Sequence, residues 1–134
     1  MSLFNAYEAL TLDAIFGTGS PATFQLGLSY SQPSDDGASL FEIAGSGYSR
    51  LTVSNNLTNF PAAYTDLSGK THKRSGASLT WSAATGTWNL ATHWFLYDTT
   101  NSRAVVWGTL LAPMSVGAGD VPRIAGGNLD ITLD

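Results

Sequence analysis

The chain has 134 residues, 43% of them hydrophobic and only 12% charged, with a net charge of −4 and no cysteine. A single domain of that length buries roughly two-thirds of its unfolded surface and needs no staples. The acidic balance argues against nucleic-acid binding, the missing cysteines exclude disulfides and thiolate metal sites, and no apolar run approaches the ~20 residues of a membrane span.

The N-terminus lacks the basic, apolar, small-residue order of a signal peptide, which points to synthesis in a cytoplasm. Ser, Thr, Asn and Gly supply the polarity that charge ordinarily would. Such a surface tolerates packing against other copies, because few ions need desolvating at contacts. A turn-rich β protein has the same composition. Residues 2–16 form the one good helix candidate, with Leu3, Tyr7, Leu10 and Ala14 on one face, widened by Phe4, Ile15 and Phe16. Asn5 and Glu8 fit a capping box, Ser2 offers an earlier cap, and Gly17 supplies the stop. An amphipathic helix at a terminus covers its own sheet or docks on a neighbouring subunit; covering the sheet is the favoured expectation.

Residues 23–30 alternate cleanly, with Phe24, Leu26, Leu28 and Tyr30 facing one way. Pro33 and the Asp36-Gly37 pair make 31–37 a loop, and its adjacent acids lack calcium-loop spacing. A short apolar piece follows at 40–44, then a strand over 48–54 with Leu51 and Val53 on one face. Residues 55–76 are weakly periodic and longer than a usual loop, so they form a functional excursion or hide a short strand near 57–64. Within them Lys70, Lys73 and Arg74, with His72 among them, read as a solvated loop rather than a phosphate site.

All four tryptophans fall in 78–111, which reads as three strands (79–81, 92–98 and 104–111) separated by turns. Indoles bury large apolar area, so the core is expected to condense there. Ala112-Pro113 is expected to end the third strand, 121–125 is a short edge piece holding Pro122, and 129–133 alternates as a final strand. The expected fold is mainly β: a single-domain antiparallel β-sandwich or barrel with one N-terminal α-helix. Its candidate core is Leu26, Leu28, Trp81, His93, Phe95, Trp107 and Ile131.

The residues offer little chemistry. His93 reads as a core or interface histidine, and Asp98 as a turn former through the Thr100 or Asn101 amides. Their odd and even positions point to opposite faces of a strand, which works against a catalytic dyad. No phosphate-cradling or dinucleotide-binding glycine motif is present, nor a histidine pair at metal-ligand spacing, so neither enzyme activity nor a cofactor is expected. A sugar-binding module is a second possibility, with Trp88, near a turn between Thr87 and Asn89, as the candidate stacking platform.

A third reading comes from the order of short pieces. These are Ile15-Phe16-Gly17, Gln25 to Ser29, the Pro33–Asp36 loop and Gly45 to Arg50, then Thr80 to Thr85 and Gly86-Thr87-Trp88. Ala91-Thr92-His93, Tyr97-Asp98, Trp107 to Leu110, Pro113, Val116 to Asp120 and Leu129 to Leu133 follow. In this order the chain resembles, over nearly its whole length, a family of small tailed-phage proteins labelled tail-fibre or virion structural proteins. It departs at Trp94 and in a shortened region before Trp81, which bears on contact surfaces more than on fold. The resemblance implies assembly within a virion. A compact unit without repeats suggests a capsid decoration protein clamping the shell, with a tail fibre or knob as the alternative. The implied partners are the major capsid protein or tail proteins and further copies of the chain, as a homotrimer; no nucleic acid or membrane is expected. Leu3, Phe4, Tyr7 and Leu10 of the helix, with Tyr64 and Lys70 of the excursion, are the candidate contacts.

Overall fold

A computed structural model describes residues 3–133. The chain runs as α1 (Asn5–Ile15), β1 (Thr23–Ser29), β2 (Leu51–Ser54), β3 (Tyr64–Thr65), β4 (Thr71–Arg74), β5 (Leu79–Thr80), β6 (Ala91–Asp98), β7 (Arg103–Met114), β8 (Arg123–Ile124) and β9 (Asp130–Leu133). A principal sheet is ordered β2-β1-β6-β7, a second β3-β4-β9, and β5 pairs with β8; the pairings are antiparallel. The mainly β sandwich with one helix near the N-terminus is therefore borne out.

The period of two along β1 builds the inner face. Leu26 stands opposite Leu96, Leu28 opposite Trp94 and Phe24 opposite Val53, and all six are buried. They join Leu79, Trp81, Ile124, Leu129 and Ile131 from the other strands and loops, and Leu12 and Phe16 from the helix side, in one apolar cluster. Phe95 is also buried, but on the outer face. There its ring lies against Gly27, and the Arg50 guanidinium sits 5.1 Å above it. Glu42 holds Arg50 at 2.9 Å, so an ion pair roofs what composition alone would leave bare.

His93 and Trp107 share that outer face, toward the edge strand β7, and are only half-buried, which corrects their place in the core. His93 Nδ1 is 2.7 Å from Thr92 Oγ1, and its ring meets Trp107 edge-on at 5.8 Å. Large rings are seated over glycines. A Cβ on Gly27 would stand 2.1 Å from the Phe95 ring, one on Gly108 2.5 Å from Trp94, and one on Gly45 2.3 Å from Trp88.

Asp98 forms the expected turn, its Oδ1 accepting from the Thr100 and Asn101 amides at 2.9 and 3.1 Å. The Asn101 side chain, acting against burial and helped by the two amides, holds the Asp98 carboxyl below its ordinary pKa. Several boundaries differ from expectation; the strand expected over 48–54, for one, starts only at Leu51. β7 continues through Pro113 to Met114, because at a sheet edge and within a register irregularity a missing N–H costs no ladder bond. The excursion 55–76 holds the β3–β4 hairpin, so pairing starts at Tyr64 rather than over 57–64.

Residues 70–74 are not a solvated loop. β4 lies between β3 and β9, with Thr71, His72 and Lys73 all buried. Burial is tolerable because each charge there meets an opposite one.

Candidate assembly surface

The helix has two unlike sides. Glu8 and Leu12, one turn apart, are its buried residues and face β4. Glu8 Oε2 accepts from Thr71 Oγ1 at 2.7 Å, and Thr71 in turn contacts Thr65 Oγ1 at 3.0 Å. Asp13 Oδ1 accepts from Lys73 Nζ at 2.6 Å and from the Ala63 amide at 2.9 Å. Burial works to raise the pKa of Asp13, but Lys73 and that amide outweigh it and hold the carboxyl below its ordinary value.

At the C-terminal end Phe16 packs its ring 5.6 Å from both Phe24 and Phe60. Asn55, buried, donates from Nδ2 to the Ile15 and Pro21 carbonyls at 3.3 and 2.9 Å and accepts from the Gly17 amide. The helix is thus fixed to the body by polar bonds along its length and by aromatic packing at its end.

The helix covers its own second sheet, as favoured, but with the opposite side from the one its apolar stripe suggests. The surface that β4 offers is polar, so it selects the carboxylate side of α1. The apolar stripe Leu3, Tyr7, Leu10 and Ala14, with Phe4 beside it, is left exposed. The capping box fails for the same reason: Glu8 is committed to Thr71, and the helix starts at an extended Phe4 with no side-chain cap. The helix itself is shorter than expected at both ends, Asn5–Ile15, and Ser2 lies outside the described residues.

Beside the helix stands a second polar cluster. His72 Nε2 is 2.8 Å from Asp66 Oδ2, and its Nδ1 is 2.9 Å from Asp130 Oδ1. Both ring nitrogens face carboxylates, so both donate and the ring is an imidazolium. Arg74 Nε lies 3.2 Å from Asp130, Tyr64 stacks on the imidazole at 5.3 Å, and the Arg74 guanidinium covers Tyr64 at 5.6 Å. The Asp66 hydrogen bond raises the pKa of His72 against burial, with Asp130 adding to it and Arg74 opposing. Ser68 and His72 hold Asp66 far below the ordinary carboxylate range. The cluster ties the β3–β4 hairpin to the last strand, β9. Tyr64 is part of it, and Lys70, half-buried at the hairpin turn, donates its amide to Asp66 at 3.1 Å.

The cluster sets a pH dependence. The His72 contribution is complete below the unfolded value of 6.5 and is lost as pH rises through its raised folded value. The Asp66 contribution is present above 3.8 and is lost only as pH falls through its lowered value. The melting temperature should therefore fall as pH rises above 6.5, and His72→Gln should flatten that slope. Equal slopes in thermal scans of the two proteins would show that His72 does not carry it.

A family model described as Podophage GP4 fiber I protein gp80 matches residues 2–132. The chain belongs to this fibre family. No curated protein matches it. Membership bears out the resemblance read from the ordered pieces and makes the chain a phage fibre protein, a structural component of the virion.

For a gp80-family protein, the surfaces left open matter more than any reactive group. Trp88 is not one of them. It is buried, its indole N–H donates to the Ser46 carbonyl at 2.9 Å, and Tyr48 meets it edge-on at 5.1 Å. It cannot act as an exposed sugar platform, because it is packed so closely on Gly45 that a Cβ there would stand 2.3 Å from its ring. Among the described residues no helix is long and apolar enough to cross a membrane. The roles of Asp13, Asn55, Lys73 and Asp130, which position the surface, escaped the sequence reading because their partners lie far along the chain, while Asp66 meets His72 only once the β3–β4 hairpin is formed. Lys73 and Asp13 are 60 positions apart, and His72 and Asp130 are 58.

Proposed function

We propose that the chain is a non-enzymatic subunit of the tail fibre, built to attach to other virion proteins rather than to transform a substrate. The observation that carries this reading is the match over residues 2–132 to a fibre protein family. It favours the tail-fibre alternative over capsid decoration, which rested only on compactness. The physical arrangement supports an assembly role. The titratable groups that come together, Asp66, His72 and Asp130, neutralise one another and lock the second sheet. The helix carboxylates are likewise spent on β4, and an uncharged apolar face is left outside. Such a face binds by losing water, which makes attachment lasting and independent of any reaction. The partners are tail proteins and further copies of the chain, within the virion.

Virions produced without the chain test the reading. Filled heads should keep their DNA on heating as well as complete particles do, while attachment to host cells falls. Heads that leak DNA at lower temperature, with attachment unchanged, would overturn the fibre reading in favour of decoration.

A further inference from the structure

Between the loop that follows β1 and the edge strand β7 lies an open groove on the outer side of the principal sheet. Its narrower part has room for about 100 Å³, with Leu40, Phe95 and Trp107 as apolar lining and Asp35 and Asp36, both exposed, as carboxylates. Past Asp36 and Ala104, which line both parts, it opens into a recess of about 420 Å³ that reaches Arg103. Together the two parts offer the room of an ordinary small-ligand site, about 300–1,000 Å³.

The acceptors are held in place before anything binds. Asp36 Oδ1 accepts from Ser34 Oγ at 2.7 Å and from the Ala38 amide at 3.0 Å, while Ser34 Oγ accepts from the Ser39 amide at 2.9 Å. The Ser34 hydroxyl and the Ala38 amide hold the Asp36 carboxyl below its ordinary pKa, so it is an anion at neutral pH. Its Oδ2 is left over from this turn and faces no cost of reorganisation on meeting a donor. Trp107 is half-buried, with His93 against it edge-on at 5.8 Å, so part of the indole stays open to the groove.

Charge selects the class of ligand. Two fixed anions oppose a phosphate or a carboxylate, and Arg103 at the other end opposes a free cation. Among the described residues no group of three or more His, Cys, Asp or Glu is placed to hold a metal ion. An aromatic wall, anionic acceptors and a guanidinium donor in one groove suit an uncharged, hydroxyl-rich ring. A pyranose has an apolar C–H face that packs on an indole and a rim of hydroxyls that donate to carboxylates and accept from a guanidinium.

We propose that this groove binds a neutral sugar residue, its C–H face on Trp107 and neighbouring hydroxyls on Asp35 and Asp36, with Arg103 meeting oxygens of the next residue in the saccharide. The site follows from the groove itself; that its sugar belongs to a glycan of the host surface rests on the fibre reading.

The test is a proton NMR titration of the full chain, read at the four indole N–H resonances, of which the one missing in Trp107→Phe belongs to Trp107. The probes are glucose, galactose, mannose, rhamnose and N-acetylglucosamine, each to about 50 mM, and the O-polysaccharide of the host strain. At least one should move the Trp107 resonance saturably. Asp35→Ala, in an exposed loop, should weaken that binding about tenfold with the other three indole resonances in place. Leu67→Ala in the β3–β4 hairpin should leave it unchanged. No saturable shift with any probe, or undiminished binding by Asp35→Ala, would overturn the site, as would a shift with lysine amide and with no sugar. A chain found on virion tails that binds no probe would sink this inference alone, and a sugar-binding chain absent from tails would sink only the fibre reading.

Discussion

Asp13→Ala should destabilise the fold by about 3 kcal/mol, whereas Lys73→Met should cost about 1 kcal/mol or less. The asymmetry follows from where each half of the pair sits. The Lys73 side chain has no exposed surface, while that of Asp13 is 40% exposed. Removing the carboxylate strands an ammonium that water cannot reach, and the Ala63 amide loses its acceptor as well. Removing the ammonium leaves a carboxylate that solvent partly hydrates and that still accepts from Ala63. Methionine also keeps most of the lysine volume in a buried slot. The figure for Asp13 is taken at the low end of the range for broken buried pairs because of that solvent access. Urea unfolding of the three proteins measures both costs. A larger loss from Lys73→Met would mean that the pair's attraction, not desolvation of the ammonium, governs how α1 is held to β4.

Gly27→Ala is the second large effect, at about 3 kcal/mol. The added methyl would fall 2.1 Å from Cζ of Phe95 and within 2.7 Å of both ring Cε atoms. Phe95 has little freedom to yield, being fully buried on a strand paired on both sides, with Arg50 above the ring. Replacing the ring should restore room. Gly27→Ala combined with Phe95→Leu should be more stable than the sum of the single changes predicts, by at least about 1 kcal/mol. Additive losses would show that the cost arises in the strand backbone and not in the ring contact.

Legibility in the sequence tracked how local each determinant was. β1 could be read because Phe24, Leu26 and Leu28 mark one face within seven residues, and the turn at Asp98 because its acceptors and donors are neighbours. β4 could not be read. Thr71-His72-Lys73-Arg74 looks like a solvated run until Asp13 and Asp130 arrive from distant elements, and Asp66 from the hairpin's own turn, to neutralise it. Trp88 was misplaced for a related reason, since the vacancy that admits its ring is made by Gly45 on another segment.

The helix shows the limit most clearly. Periodicity identified its apolar stripe correctly, yet which side meets the body was decided by what β4 presents, and Thr71 and Lys73 call for carboxylates. Because Leu12 and Phe16 also belong to the core, deleting the helix would disturb the fold along with assembly, and substitutions on the outer stripe separate the two.

The assignment to the fibre is tested most directly by immunogold electron microscopy of intact virions, with antibody raised against this chain. Gold confined to the tail is the expected result. Gold spread over the head would contradict it and place the chain on the shell.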